Sequence, residues 1–476
     1  MLIVYNTLSR SKEEFKPIRG RRVNMFVCGQ TVYDDAHLGH AKNYINFDVI
    51  ARWLRYSGYE LKYVQNITDV DDKIIKRAAE EGTDPIALAR KFEARFMEDM
   101  DAIGVKKNVD QYPRSHDYID EMRSQIQLLL DKGYAYCIDN DVYYDVSKFA
   151  DYTKLSGMRI EELEKHRIEP REGKRNSYDF ALWKGAKESE PSWSITLSVN
   201  GKEEKFNGRP GWHIEDTAIT HAIFGKQYDL HGGAIELIFP HHTNEIAQAE
   251  AAFGEKPFVK YWMHSGIMLL KGEKMSKSLK NFIRIRELLR KFDSEALRVL
   301  VLSTHYRKDF GYSEDLMKKA SARINYMYAS FSIFYNMKEV KSAETCAEAD
   351  SVIRELNAEF KEAMDDDFNT PLALGKLASA IEKLRTYAET NQEIGDHAKA
   401  AAVQGILSVS GVLGLLEKGT YKERLPEGAA RLIKEREKLR SDKEFKEADA
   451  IRERLKSEHS ISIEDSEYGT IWYKAQ

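Results

Sequence analysis

Two short strings carry side chains suited to chemistry at a phosphorus atom. Residues 37–40 read His-Leu-Gly-His, and residues 274–278 read Lys-Met-Ser-Lys-Ser. Paired imidazoles can stabilise a crowded pentavalent phosphorus, and mobile lysines can hold a departing pyrophosphate. Such groups suit the joining of a carboxylate to the α-phosphate of ATP. The candidate catalytic residues are His37, His40, Lys274 and Lys277.

The first string alone is weak evidence, because a His-x-Gly-His pattern can occur by chance in a surface turn. The unbroken lysine string is far rarer, with a random expectation on the order of 1 in 10,000 for a chain of this length. The context of the first string adds support. Residues 23–27 predict a strand, residues 29–35 predict a loop, and apolar residues then recur at helical spacing as far as Gly58.

This succession would place both histidines at the N-terminal end of a helix. Free backbone amides and the helix dipole favour phosphate at such an end. Gly39 has no Cβ atom, so a nucleotide base could lie against the backbone there.

Residues 27–40 resemble the class I aminoacyl-tRNA synthetases and, among them, the cysteinyl-tRNA synthetase family. The resemblance continues through residues 66–73, 208–215 and 239–242, includes the lysine string, and reaches residues 464–472. It implies ATP-dependent ligation of L-cysteine to tRNA(Cys) through a cysteinyl-adenylate. MgATP would be the nucleotide substrate, and AMP and pyrophosphate would be released.

The sequence and this resemblance predict an α/β fold, with a doubly wound, Rossmann-like parallel sheet that carries an insertion, followed by an α-helical anticodon-binding region. Residues 61–67 and 235–239 read as strands, and Pro240 suits the first position of a helix. From Ser313 onward the pattern is helical throughout. The predicted parts are the first half of the catalytic domain (1–113), a connective insertion (114–206), the second half of the catalytic domain (207–265), the lysine-string loop with a stem-contact region (266–312), a helical bundle (313–418) and an anticodon-recognition domain (419–476).

The predicted chemistry includes a metal site. His241 and Glu245 stand four residues apart, so both can meet one ion from a single helix face, whereas His242 would point elsewhere. In the family, two cysteines, this histidine and this glutamate bind Zn²⁺, which takes the thiolate of the substrate. Cys28 matches one cysteine, but Asp216 replaces the other. Loss of a thiolate should weaken retention of zinc and make the ion a stronger Lewis acid.

The alternative is that no metal binds. Cys28 would then be a buried apolar residue, Asp216 would cap a helix that starts at Thr217, and His241 would only contact ATP. In that case a simple pocket would separate cysteine from serine poorly.

The resemblance also implies contacts with the substrates, although any of these residues could equally belong to the core. The positions near the amino acid are Thr31, Thr68, Trp212 and His231. The positions near ATP are Gly39, His40, Gly232, Glu236 and Lys277. Three residues depart from the family pattern, with Gln30 in place of proline, Glu236 in place of aspartate and Thr243 in place of glutamate.

Composition is compatible with a large enzyme, since 42% of the 476 residues are hydrophobic and 11% are aromatic. The three cysteines are far apart and odd in number, which disfavours disulfides and suggests a cytoplasmic location. No segment has the apolar length of a membrane span. We expect the protein to be a monomer. The net charge of −4 does not mark a nucleic-acid binder, and residues 431–456, with ten basic and seven acidic side chains, could be an ordinary solvated helix.

Two other functions remain open at this point. A divergent paralogue could activate another small amino acid tolerated by Asp216, or pass cysteine to an amine other than tRNA. Such relatives lack the long helical C-terminal region that this chain has. A non-catalytic tRNA-binding paralogue should have lost histidines or lysines from the two strings, and none is lost.

Overall fold

The computed structural model begins with a short hairpin and the first half of a parallel sheet. The described residues are 1–159, 171–188, 190–270, 272–275, 281–342, 344, 346–419, 425–466 and 469–474. The elements of the first part are β1 (Ile3–Asn6), β2 (Ser11–Glu14), β3 (Arg22–Thr31), α1 (Leu38–Tyr56), β4 (Glu60–Thr68), α2 (Asp72–Glu81) and α3 (Pro85–Ala102).

An antiparallel insertion separates the two halves of the parallel sheet. Its elements are α4 (Ile119–Asp131), β5 (Ala135–Ile138), β6 (Asp141–Tyr144), β7 (Phe180–Gly185), β8 (Trp193–Val199) and β9 (Lys202–Pro210). The five strands lie in the order β5-β6-β7-β9-β8. The second half of the parallel sheet follows as α5 (Ile214–Phe224), β10 (Tyr228–Ala234), α6 (Thr243–Phe253) and β11 (Val259–Ser265).

The four strands of the central sheet are parallel and lie in the order β11-β10-β3-β4. Strands β3 and β10 are neighbours although the whole insertion separates them in the chain, and Phe26 lies opposite His231. Helix α1 connects β3 to β4, and α6 connects β10 to β11. The predicted α/β fold with a parallel sheet is therefore confirmed, and the β3/β10 boundary is where such sheets bind ligands.

The strand predicted at 235–239 is wrong, because β10 ends at Ala234. A 3₁₀ turn and a π turn fill residues 235–242, so α6 begins at Thr243 rather than at Pro240. The strand instead passes through Gly232, where a Cβ atom would lie 2.2 Å from a ring carbon of Phe47. A search for apolar side chains misses a strand whose glycines let a neighbouring ring pack against the backbone.

The C-terminal half is mainly helical. Its elements are β12 (Met268–Leu270), β13 (Glu273–Lys274), α7 (Ile285–Leu288), α8 (Ser294–Leu302), β14 (Phe310–Tyr312), α9 (Glu314–Tyr335), β15 (Lys338–Val340), α10 (Ala347–Asp365), α11 (Thr370–Thr390), β16 (Glu393–Gly395), α12 (Asp396–Leu413), α13 (Glu427–Ser441), α14 (Phe445–His459), β17 (Ile461–Ser466) and β18 (Gly469–Lys474). The prediction of helix throughout is wrong at the end of the chain, where β17 and β18 form an antiparallel hairpin. Within the described residues, no helix is long and apolar enough to cross a membrane.

A buried ion-pair network fastens α1 to the helical half. The Asp48 carboxylate is fully buried and accepts hydrogen bonds from Arg298 at 2.6 Å, Arg52 at 2.9 Å and Asn108 at 2.5 Å. Arg298 also donates to the carbonyl oxygen of Leu413 at the end of α12. The helix that begins with the candidate catalytic histidines is thus held by charged groups from the helical half.

We predict that Asp48→Asn destabilises the protein by about 3–5 kcal/mol, because it leaves the buried Arg298 guanidinium without a counter-charge. The matched control is Asp366→Asn, whose carboxylate is 56% exposed and pairs with Lys12, and its cost should stay below about 1 kcal/mol. Urea unfolding followed by circular dichroism measures both. Equal midpoints for the two variants would contradict a structural role for the network.

Candidate active site

A cavity of about 460 Å³ opens at the boundary between β3 and β10. The end of β3, the start of α1, the residues that follow β10 and the residues that follow β11 all contribute to its wall. The predicted site residues that line it are Cys28, Thr31, His37, Gly39, His40, Thr68, Trp212, Asp216, Glu236 and His241. Residues from both ends of the catalytic region therefore meet in one space.

The two imidazoles of the first string stack on one another at the start of α1. Their ring centroids are 3.8 Å apart, with an angle of 22° between the planes. Nδ1 of His37 accepts a hydrogen bond from the Gly39 amide at 3.1 Å, and Nδ1 of His40 accepts one from the His37 amide at 3.2 Å. This reciprocal cap fixes the orientation of both rings where they line the cavity.

The described start of the lysine string, residues 274 and 275, reaches the same cavity. Lys274 ends the short strand β13, and Met275 lines the cavity. Residues 276–280, which include Lys277, and the side chain of Lys274 lie outside what the structure describes. The chain then returns against the first string, since the Leu38 amide donates to Ile283 at 3.0 Å and the Ile285 amide donates to Ala36 at 3.0 Å. The segment that follows the lysine string therefore adjoins the histidines, and Met275 of the string lines the cavity that they line.

The four candidate metal ligands converge at one place, where Cys28, Asp216 and His241 line the cavity and Glu245 lies beside them. Ligand atoms of Cys28, Asp216, His241 and Glu245 all lie within 4.8 Å of one another, and all four residues are buried. Nε2 of His241 is 3.0 Å from Asp216 Oδ2 and 3.1 Å from Glu245 Oε1. Sγ of Cys28 is 3.4 Å from Asp216 Oδ2.

The surroundings of Glu245 fit a cation. Its side chain is fully buried, and neither carboxylate oxygen accepts a hydrogen bond from any described residue. Burial, together with the nearby carboxylates of Asp216 and Glu215, raises the pKa of Glu245 well above its usual value. A bound divalent ion would satisfy these oxygens and offset the repulsion between the carboxylates. The residues present therefore suit a metal ion.

The alternative in which Asp216 caps a helix at Thr217 is wrong. Helix α5 begins at Ile214, and its N-cap residue is His213, so Asp216 lies inside the first turn. Its Oδ1 atom accepts a hydrogen bond from the Asn66 amide nitrogen at 2.6 Å, which aims Oδ2 at Cys28 and His241. Asp216 is therefore positioned as a ligand would be.

His242 does not point elsewhere, contrary to the prediction. Its Nε2 atom is 3.1 Å from Sγ of Cys28, and its Nδ1 atom is 2.8 Å from His264. The prediction failed because a π turn, rather than a regular helix, carries the two adjacent histidines, so both rings reach the same cluster. Burial lowers the pKa of His242 well below its usual value, which keeps the ring neutral.

Two predicted contacts lie away from the cavity among the described residues. His231 is fully buried in β10, where its ring nitrogens contact Cys28 at 3.3 Å and Tyr228 at 2.5 Å. Gly232 packs against Phe47. Adjacent residues of a strand face opposite sides of the sheet, so His231 packs against Cys28 and Gly232 packs against α1.

Sequence reasoning missed two residues of the site. The Asn66 side chain donates to Asp216 and accepts a hydrogen bond from the Gly29 amide at 2.6 Å. Asn66 belongs to the string 66–73, from which Thr68 alone is predicted as a site residue. Lys73 belongs to the same string and lines the cavity. A polar side chain within the carboxyl end of a buried parallel strand is the pattern that could have identified Asn66.

Comparison with known proteins agrees with this geometry. The family model for the catalytic domain of class I (C) tRNA synthetases matches residues 14–322, the DALR domain matches 359–417, and the cysteinyl-tRNA ligase anticodon-binding domain matches 422–470. The chain is 44% identical to the cysteine–tRNA ligase of Thermococcus gammatolerans, over 98% of each protein. The chain belongs to the cysteine–tRNA ligase family. A protein of the same name from Pseudomonas aeruginosa is also 44% identical, over 99% of each chain.

Solved structures add evidence on the fold. Mycobacterium tuberculosis methionyl-tRNA synthetase in complex with methionyl-adenylate matches with a TM-score of 0.59 over 83% of this chain and 89% of that protein. The sequence identity is 15%, so the likeness concerns the fold alone. It agrees with the predicted class I architecture.

We predict that Gly39→Ala lowers the rate of ATP–pyrophosphate exchange about tenfold or more, because small displacements of a catalytic group are costly. The new methyl group would lie 2.9 Å from Cε1 of His37 and would push that ring out of its stack with His40. Gly375→Ala is the control, since a methyl group on this helical glycine would meet no atom within 4 Å. Similar exchange rates for the two variants, at equal melting temperatures, would show that the His37 position is unimportant.

Proposed function

We propose that this protein ligates L-cysteine to tRNA(Cys) at the expense of ATP, releasing AMP and pyrophosphate. The observation that carries the proposal is that the imidazole pair, Met275 of the lysine string and the Cys28, Asp216 and His241 side chains line one cavity. Family membership supports the same reaction. ATP with Mg²⁺, cysteine and tRNA are the corresponding substrates.

In the first step an oxygen of the cysteine carboxylate attacks the α-phosphorus of MgATP. A phosphorus–oxygen bond forms, the bond to the β-phosphate oxygen breaks, and pyrophosphate leaves with the electron pair. His37 and His40 stabilise the charge on the crowded phosphorus, and Lys274 and Lys277 hold the pyrophosphate. Gly39 and Glu236 contact the nucleotide, while Thr31, Thr68 and Trp212 contact the amino acid.

In the second step the terminal ribose hydroxyl of the tRNA attacks the carbonyl carbon of the adenylate. The new ester bond forms while the bond to the AMP phosphate breaks, and the hydroxyl proton passes to the departing phosphate or to solvent. The two steps share one cavity, so the adenylate need not leave before transfer.

Cys28, Asp216, His241 and Glu245 would hold a zinc ion at the floor of the cavity. Bound there, zinc would supply a soft Lewis acid that takes the thiolate of the substrate in preference to the hydroxyl of serine. Asn66 orients Asp216 for this role through the 2.6 Å hydrogen bond to its carboxylate.

A paralogue that passes cysteine to another amine is disfavoured. The helical half and the segment that matches an anticodon-binding domain would have no use in such an enzyme.

We also propose the division into six parts given by the sequence, with the insertion at 114–206 and the anticodon-recognition domain from 419. We also propose that the protein acts as a monomer in the cytoplasm. The three free cysteines suit that reducing compartment.

We predict cysteine-dependent ATP–pyrophosphate exchange when each of the twenty amino acids is tested alone. Cysteine should support exchange because the cluster around Cys28 offers a thiolate acceptor within the cavity. Radiolabelled pyrophosphate incorporated into ATP is the readout, and serine and diaminopropionate are the critical controls. Exchange with either of these two, but none with cysteine, would defeat the proposal.

We predict that Asp216→Cys raises zinc retention during dialysis against a chelator, because a second thiolate binds zinc more tightly than a carboxylate does. Elemental analysis of the dialysed protein measures the zinc bound per chain. Asp315→Cys on the exposed start of α9 is the control for a cysteine that lies away from the cluster. Zinc contents that are equal in the wild type and both variants would contradict Asp216 as a ligand.

A further inference from the structure

Lys73 is a cation that the first step of the reaction does not use. It lies in the first turn of α2, directly after the β4 strand, and lines the cavity. Its ammonium nitrogen is 5.9 Å from the centre of the Tyr33 ring and 5.7 Å from the centre of the Trp212 ring. Two aromatic faces therefore attract the same ammonium group, at about 0.5–1 kcal/mol each for an exposed site.

These two rings come from different segments that line the cavity. Tyr33 lies in the loop that leads to His37, whereas Trp212 stacks on His241 of the metal cluster with 4.4 Å between ring centroids. Lys73 thus lies between the loop that leads to His37, near the proposed phosphate site, and Trp212, near the proposed site of the substrate thiol. The side chain is exposed, so it occupies the rim of the cavity and not its floor.

The charge of Lys73 has no partner carboxylate within 4.0 Å among the described residues. The neighbouring Asp72 is already paired, to Lys184 at 2.7 Å and to Arg209 at 2.6 Å. Asp71 accepts the backbone amide of Lys73 as the helix cap. The ammonium group is therefore available to an anion that enters the cavity.

We propose, on the basis of the proposed ligase function, that Lys73 binds the terminal phosphodiester of tRNA as its 3′ end enters the cavity for the second step. The first-step substrates are held by groups deeper in the cavity, whereas the tRNA end arrives last and must cross the rim. Lys184 and Arg209 tie this rim to strands β7 and β9 of the insertion through Asp72. A phosphodiester is the anion that a polynucleotide presents at every nucleotide, so one lysine at the rim can fix the register of the 3′ end.

The test separates the two steps of the reaction in Lys73→Gln. ATP–pyrophosphate exchange reports the first step, and single-turnover transfer of cysteine from preformed adenylate to tRNA reports the second. We expect exchange to stay within about twofold of wild type, and transfer at low tRNA concentration to fall about tenfold. The salt dependence of tRNA binding should also weaken, with the slope of log K against log salt reduced by about 0.7.

Two further variants complete the experiment. Lys73→Arg should restore transfer, because it keeps the charge over the two rings. Lys76→Gln removes an exposed lysine from the same helix, and should leave both steps unchanged. An increase in the KM for cysteine or ATP equal to the loss of transfer would assign Lys73 to a first-step anion and overturn the proposal. Unchanged transfer in Lys73→Gln would also overturn it, whereas absent exchange in the wild type would instead refute the proposed function.

Discussion

The parallel pairing of β3 with β10 is the constraint on which the site depends. Hydrogen bonding in this register sets Val27 beside Gly232, so the segments that leave both strands emerge at the same edge of the sheet. The end of β3 carries Cys28 and the segment that leaves it carries the histidine string, whereas the chain that leaves β10 carries His241 and Glu245. Neither segment could form the cavity alone. A parallel pair needs a crossover connection, and the chain uses that necessity to accommodate the whole antiparallel insertion.

Strand pairing brings the groups together, but it also creates an electrostatic cost. Glu215, Asp216 and Glu245 are all buried close to one another, and burial together with the nearby Asp216 carboxylate raises the pKa values of Glu215 and Glu245 well above their usual range. Hydrogen bonds offset part of this cost, since Thr68 and Ser115 donate to Glu215 and Asn66 donates to Asp216. Among the described residues, neither oxygen of Glu245 accepts a hydrogen bond, which leaves this buried carboxylate the least compensated of the three.

The sequence predicted the parts of the site that consist of contiguous strings, because a string carries its own local geometry. The first strand, the helix α1 and the convergence of Cys28 with Glu245 followed from short patterns and the resemblance. Features that depend on partners distant in the chain were missed. The strand through Gly232 was missed because this glycine has no apolar side chain and instead lets Phe47 pack closely against the backbone. His242 joins the cluster because a π turn replaces a regular helix. Neither cause leaves a periodic signal in the chain.

Helix α1 shows how the remaining half of the chain can influence the chemistry without touching it. The helix starts at the stacked imidazoles, and its 19 residues correspond to about 28 Å at 1.5 Å per residue. Further along the same helix, Asp48 is held by Arg298 and Arg52, and Arg52 also donates to Gly411 of α12 at 2.7 Å. A close-packed helix transmits displacement as a rigid rod, because its neighbours leave no space for local bending. The helical half therefore fixes how α1 is rotated about its axis and where it lies along that axis. In this way it sets the position of the His37 and His40 rings at the start of the helix.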